Sequence, residues 1–116
     1  MSKVEIWHNP RCSKSRAALA LLEERGLEPK VVLYLEETPP AERIEAVLDL
    51  LGVEPRELMR KAEEPFKKLK LDDPKKSRRE LIDALAAHPI LIERPIVIAG
   101  RRAVVGRPPE RVLEIL

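Results

Sequence analysis

The stretch Val4-Glu5-Ile6-Trp7-His8-Asn9-Pro10-Arg11-Cys12-Ser13-Lys14-Ser15-Arg16 decides how this chain is read. Val4 to Trp7 alternates and is rich in strand formers, which predicts a first strand. His8 to Cys12 reads as a loop, because Pro10 restricts Asn9 and asparagine itself favours turns. From Ser13 to about Glu24 the pattern is helical, with Ala17, Ala20 and Leu21 on one side and Gly26 as the C-terminal stop. Lys30 to Tyr34 predicts a second strand. The chain therefore opens with a strand–helix–strand unit whose first turn carries Cys12.

Working outward, Thr38-Pro39-Pro40 opens a second helix, since proline is tolerated in a first turn. Ile44, Val47, Leu48 and Leu51 follow at i, i+3, i+4 and i+7, one apolar stripe closed by Gly52. Pro55 begins a short helix carrying Leu58, Met59 and Arg60. Lys67 to Lys76 is charged and punctuated by proline, which predicts a solvated connection. Ser77 and Glu80 form a capping-box pattern ahead of Leu81, Ile82 and Leu85. Ile96-Val97-Ile98 and Ala103-Val104-Val105 join through Gly100 as a hairpin. Pro108-Pro109 opens a last helix with Val112, Leu113 and Leu116 apolar. The order is βαβ, an inserted helical layer, then ββα, an α/β layout of the thioredoxin-like kind. Neither a repeat nor a long linker divides residues 1–116, so one domain is expected.

The composition narrows the function. A chain of 116 residues suits one modest core, and its formal charge of +2 is close to balance. That balance gives no argument for a nucleic-acid or membrane partner. No apolar run is long enough to span a bilayer, and Glu5 comes too early for a signal peptide. A soluble, cytoplasmic protein is expected. Cys12 is the only cysteine, which forbids an intrachain disulfide and a cysteine-based zinc site; no metal is expected.

A lone thiol is either an inert core group or a reactive one, and the thiolate is the reactive form. The first turn of a helix offers unpaired N–H groups and the positive end of a dipole. Arg11, Lys14 and Arg16 add charge, and Ser13 and Ser15 can donate hydrogen bonds to sulfur. His8 either carries charge near neutral pH and lowers the Cys12 pKa, or only fixes the loop. Polar, basic neighbours favour the reactive thiol over the buried structural one. Cys12-Ser13-Lys14-Ser15 is a Cys-x-x-Ser, so no internal partner can resolve a covalent intermediate. An outside thiol must do so. His88 ends a helix, where it meets the negative end of that dipole.

The run His8 to Arg16 resembles the active loop of the glutaredoxin-dependent arsenate reductases, in the branch with Cys-Ser-Lys-Ser. Leu33-Tyr34-Leu35-Glu36, Leu58-Met59-Arg60-Lys61, His88 to Val97 and Gly106-Arg107-Pro108-Pro109 extend the resemblance in order over nearly the whole chain. It implies a thioredoxin-like fold with an inserted helical layer. It implies Cys12 as nucleophile, with His8 and Ser15 in the catalytic loop. It also implies oxyanion binding by Arg60 on the short inserted helix, Arg94, and Arg107 before the last helix. Pro95 should follow a cis peptide bond. Guanidinium forks suit tetrahedral oxyanions and stay charged. Glutathione is implied as cosubstrate and glutaredoxin as partner, with no bound cofactor and a monomeric chain.

Three other readings share these residues. A glutathione-linked thiol-disulfide oxidoreductase or transferase would act on glutathione mixed disulfides without arsenate. A regulator of the Spx type has the same fold and binds RNA polymerase, but its redox-switched members use a Cys-x-x-Cys that Ser15 removes here. An oxyanion-binding protein would hold the anion without turnover.

Overall fold

In the computed structural model, which describes residues 3–116, the chain divides into two compact units. Residues up to Glu37 and from Arg94 onward form the first, and Thr38–Glu93 forms the second.

The first unit is built on β1 (Val4–Trp7), α1 (Ser13–Glu24), β2 (Lys30–Val32), β3 (Ile96–Ala99) and β4 (Arg102–Val105). They give a four-stranded sheet in the order β2-β1-β3-β4. The α1 crossover makes β2 parallel to β1, with Ile6 opposite Val31. β3 runs antiparallel on the other side, with Ile6 opposite Val97. β4 returns through the hairpin turn, with Ile98 opposite Ala103. As a central strand β3 is buried along its whole length, and this is why it reads as an unbroken apolar run.

A core of Val4, Ile6, Ala18, Leu22, Val97, Val104, Val112 and Ile115 lies where α1 and the last helical segment pack on the sheet. The buried face of α1 is Ser15, Ala18 and Leu22, not Ala17, Ala20 and Leu21. Ala17 through Leu22 is apolar on every side, so periodicity alone does not select the face; the sheet selects it. β2 is shorter than expected. After Val32 the chain turns through Leu33–Glu36 and buries Tyr34. The last segment is a 3-10 helix, Pro109–Ile115, rather than an α-helix. Val112 and Ile115 are buried at the three-residue spacing that a 3-10 helix stacks on one face, while Leu116 is exposed.

The second unit holds α2 (Ala41–Leu51), a 3-10 turn (Pro55–Leu58), α3 (Glu64–Lys68), α4 (Arg78–Ala87) and a 3-10 turn (Pro89–Leu91). The α2 stripe buries Ile44, Val47 and Leu48, and α2 packs on α4. Gly52 ends α2 at φ 69°, a left-handed cap that glycine adopts without a Cβ clash. The Ser77–Glu80 capping box forms as expected, with both reciprocal bonds at 3.1 Å. The 67–76 connection is less solvated than its charge suggests. α3 runs into it, and Phe66 and Leu71 are buried. The Arg56 guanidinium holds it by donating to the Leu71 carbonyl at 2.8 Å and to that of Asp73. Among the described residues no helix is long and apolar enough to cross a membrane.

Candidate active site

The loop after β1 is held by its own side chains. Asn9 accepts the Arg11 N–H on its side-chain oxygen at 3.0 Å, an Asx turn, and its carbonyl accepts the Cys12 N–H at 3.0 Å. Arg16 reaches back from α1 to donate to the Pro10 carbonyl at 2.9 Å. These bonds fix Cys12 as the N-cap residue of α1, with extended backbone at φ −96° and ψ 122°. The residue is only 8% exposed, so little of it is open to an approaching group.

Two opposing effects act on the thiol. Burial pushes the Cys12 pKa up, but the backbone N–H groups of Ser15 and Lys14 and the Arg94 guanidinium outweigh it. The net result lies below the ordinary thiol value. Cys12 makes no capping hydrogen bond of ordinary geometry, but the anion is the form that the unpaired amides at this helix start favour. Arg94 adds both charge and a hydrogen bond to the sulfur.

Ser15 therefore acts on sulfur through its backbone and not through its hydroxyl. The hydroxyl is fully buried, accepts the Asn9 N–H at 3.0 Å, and lies 2.6 Å from Nδ1 of His8. His8 is buried too, and burial first, then the Arg16 charge, hold its pKa below the ordinary imidazole value. Both effects disfavour the imidazolium, which weighs against His8 as a source of positive charge for Cys12. Its loop-fixing role has the 2.6 Å contact behind it. A neutral ring that takes the Ser15 hydroxyl proton on Nδ1 keeps its own proton on Nε2, and the buried hydroxyl gains an acceptor.

Arg94 and Arg107 are brought together. The Arg94–Pro95 peptide is cis, as expected. Arg107–Pro108 is cis as well, a feature that Pro108 as a helix opener does not signal in the sequence. Gly106 donates to the Pro95 carbonyl at 2.9 Å, and the Arg107 guanidinium donates to the Arg94 carbonyl at 3.2 Å. A Cβ on Gly106 would stand 2.9 Å from the Pro95 ring and 3.1 Å from Val112. Only glycine lets the chain after β4 lie this close, a requirement that a single Gly ahead of Arg107 hints at but does not prove.

Arg60 belongs to the second unit and lies beyond the 3-10 turn rather than on it. Met59 bridges Ile92, the Arg60 N–H donates to the Leu91 carbonyl at 2.7 Å, and its guanidinium pairs with Glu63 at 2.9 Å. Ser13, Arg11 and Lys14 are exposed, and His88 is the C-cap residue of α4. Among the described residues no cluster of His, Cys, Asp and Glu could hold a metal ion.

A sheet of order β2-β1-β3-β4, a cysteine at the start of the crossover helix and a cis proline at the entry to β3 define a thioredoxin-like protein with a single candidate nucleophile. Within that class the chain belongs to the ArsC family, which it matches over residues 7–115. The Escherichia coli K12 protein YfgD, itself uncharacterised, is 52% identical over 98% of this chain and 97% of its own. An arsenate reductase of Haemophilus influenzae is 48% identical over 97% of this chain and 98% of its own. The solved arsenate reductase of Vibrio cholerae superposes with a TM-score of 0.96 at 51% identity, covering 99% of this chain and 98% of that one.

Proposed function

We propose that this protein reduces arsenate to arsenite, with Cys12 as nucleophile and glutathione and glutaredoxin as electron donors. The observation that carries the reading is the Cys12 sulfur set at the start of α1 against the Arg94 guanidinium. The thiolate and its anionic substrate repel each other, and fixed positive groups beside the sulfur offset that repulsion. Arg94 and Arg107 bind the oxyanion near the helix start. Arg60 joins them on the strength of the family resemblance alone.

The Cys12 thiolate attacks arsenic. A sulfur–arsenic bond forms, an arsenic–oxygen bond breaks, and the departing oxygen leaves as water after protonation. The glutathione thiolate then attacks the Cys12 sulfur. A disulfide bond forms, the electron pair of the sulfur–arsenic bond stays on arsenic, and arsenic(V) leaves as arsenic(III) in arsenite. Glutaredoxin and a further glutathione reduce the mixed disulfide and return the Cys12 thiolate. On this reading the protein works in a reducing cytoplasm, as a monomer and with no bound cofactor.

The test is arsenate-dependent NADPH consumption with glutathione, glutathione reductase and glutaredoxin, together with mass spectrometry of Cys12. Turnover with an arsenate adduct on Cys12 is expected. Absence of both sinks the reading.

A further inference from the structure

We propose that the side chains of Arg11 and Lys14 determine which reactants Cys12 meets: they form a cationic rim that brings anions to the sulfur ahead of uncharged electrophiles. The proposal rests on the reductase reading above for its substrate, arsenate, and adds two residues to it. Both residues lie close to the thiol. The Arg11–Cys12 peptide is trans, which sets the two Cα atoms about 3.8 Å apart. The Lys14 N–H reaches the Cys12 sulfur from the first turn of α1.

The two side chains have no other task in the structure. Both are exposed, and neither makes a side-chain hydrogen bond or an ion pair among the described residues. Glu36 lines the same cleft as Arg11, yet the two are not paired. Arg16, the third cation of the segment, is already committed to the Pro10 carbonyl at 2.9 Å. The Cys12 thiol is made more acidic by the Ser15 and Lys14 amides and by Arg94, not by the Arg11 and Lys14 side chains. Nor do these charges serve the helix. α2, α3 and α4 each place a glutamate in the first turn, Glu42, Glu64 and Glu80, where an acid suits the positive end of the dipole. α1 has no acid there and carries Lys14 instead. From Ile6 to Leu22 the chain has no Asp or Glu at all, so nothing along this segment offsets the positive charge around Cys12.

Charges so placed act through space. In about 0.1 M salt they stay coupled over roughly 10 Å, which covers the last approach to the sulfur. Arsenate, with up to two negative charges near neutral pH, gains more from this field than a singly charged anion does. An uncharged electrophile gains nothing.

The test compares alkylation of Cys12 in the full-length protein by iodoacetate, an anion, and by iodoacetamide, its uncharged counterpart. Both reagents need the same thiolate and the same access, so the ratio of their rates reports the charge around the sulfur. In about 0.01 M salt, the double variant Arg11→Gln, Lys14→Gln should lower the iodoacetate-to-iodoacetamide ratio roughly three- to fivefold. In about 0.5 M salt the two proteins should differ less than about twofold. In turnover the double variant should raise the arsenate KM about five- to tenfold at low salt, with kcat moving less than about twofold. Equal ratios for the two proteins at low salt, or an unmoved KM in an enzyme that turns arsenate over, overturn the proposal. If arsenate gives no turnover at all, the reductase reading fails separately, and the alkylation ratio still decides the rim.

Discussion

Nδ1 of His8 and Oγ of Ser15 lie 2.6 Å apart, so the buried polar groups of this loop satisfy each other instead of the sulfur. Ser15→Ala would leave His8 and the Asn9 N–H without their partner. The expected cost is about 1–3 kcal/mol, read as a lower urea midpoint at unchanged slope. Cys12 should keep its depressed pKa in this variant, because Ser15 acts on the thiolate through its backbone N–H.

The thiol of Cys12 should ionise at a lower pH than a free cysteine, since its pKa is depressed. Alkylation by iodoacetamide should rise with pH to a plateau whose midpoint lies below the ordinary thiol value. The sign for stability follows. The fold favours the thiolate, so the contribution from Cys12 grows as pH rises through the folded pKa and is lost as pH falls below it. Arg94→Ala should move the alkylation midpoint up; an unmoved midpoint would remove Arg94 from the sulfur's surroundings.

Arg94→Ala should also weaken arsenate use. Charge-assisted hydrogen bonds are worth about 1.5–3 kcal/mol, so kcat/KM for arsenate should fall roughly 10- to 100-fold. Arg107→Ala should show a loss of the same order without the change in the Cys12 midpoint. Steady-state kinetics beside alkylation profiles separates the two arginines.

His8 should titrate below the ordinary imidazole value, because burial and the Arg16 charge both disfavour the imidazolium. Nitrogen-detected NMR between pH 5 and 8 checks this, with a neutral ring protonated on Nε2 expected at pH 7. A protonated ring at that pH would restore His8 as a source of charge for Cys12.

Gly106→Ala should destabilise the protein by about 1–3 kcal/mol, since the added methyl group meets the Pro95 ring at 2.9 Å. For a domain of this size that is roughly a 4–20 °C fall in Tm. Arsenate KM should rise in the same variant, because Gly106 sets how closely Arg107 lies to Arg94. Calorimetry and kinetics read the two effects apart.

Much of this was legible in the residues. β1, the α1 boundaries, the Ser77 capping box and the hairpin through Gly100 carry strong local signals, and the structure has them where they were expected. The buried face of α1 was not legible, because Ala17 to Leu22 is apolar all round and only the sheet chooses among its sides. Phe66 and Leu71 sit in a run so charged that their burial depends on Arg56, a partner distant in sequence. In the site, the position of Cys12 at a helix start could be read from the loop and the helix pattern. The lowered pKa of His8 could not, since it depends on how deeply the ring is enclosed and on where Arg16 points. The closeness of Arg94 and Arg107 is set by Gly106 packing on Pro95, a contact with no local signature.

The first unit is assembled from two stretches of chain separated by the whole of the second. β1 carries the loop to Cys12, but its antiparallel neighbour β3 and the guanidinium beside the sulfur come only after residue 93. During synthesis the thiol and the α1 amides beside it are therefore made long before the Arg94 guanidinium that adds to their effect. The last share of the thiol's ionisation thus arrives with the same late segment that completes the sheet, so the chain cannot lose its C-terminal third without losing part of the setting of its cysteine.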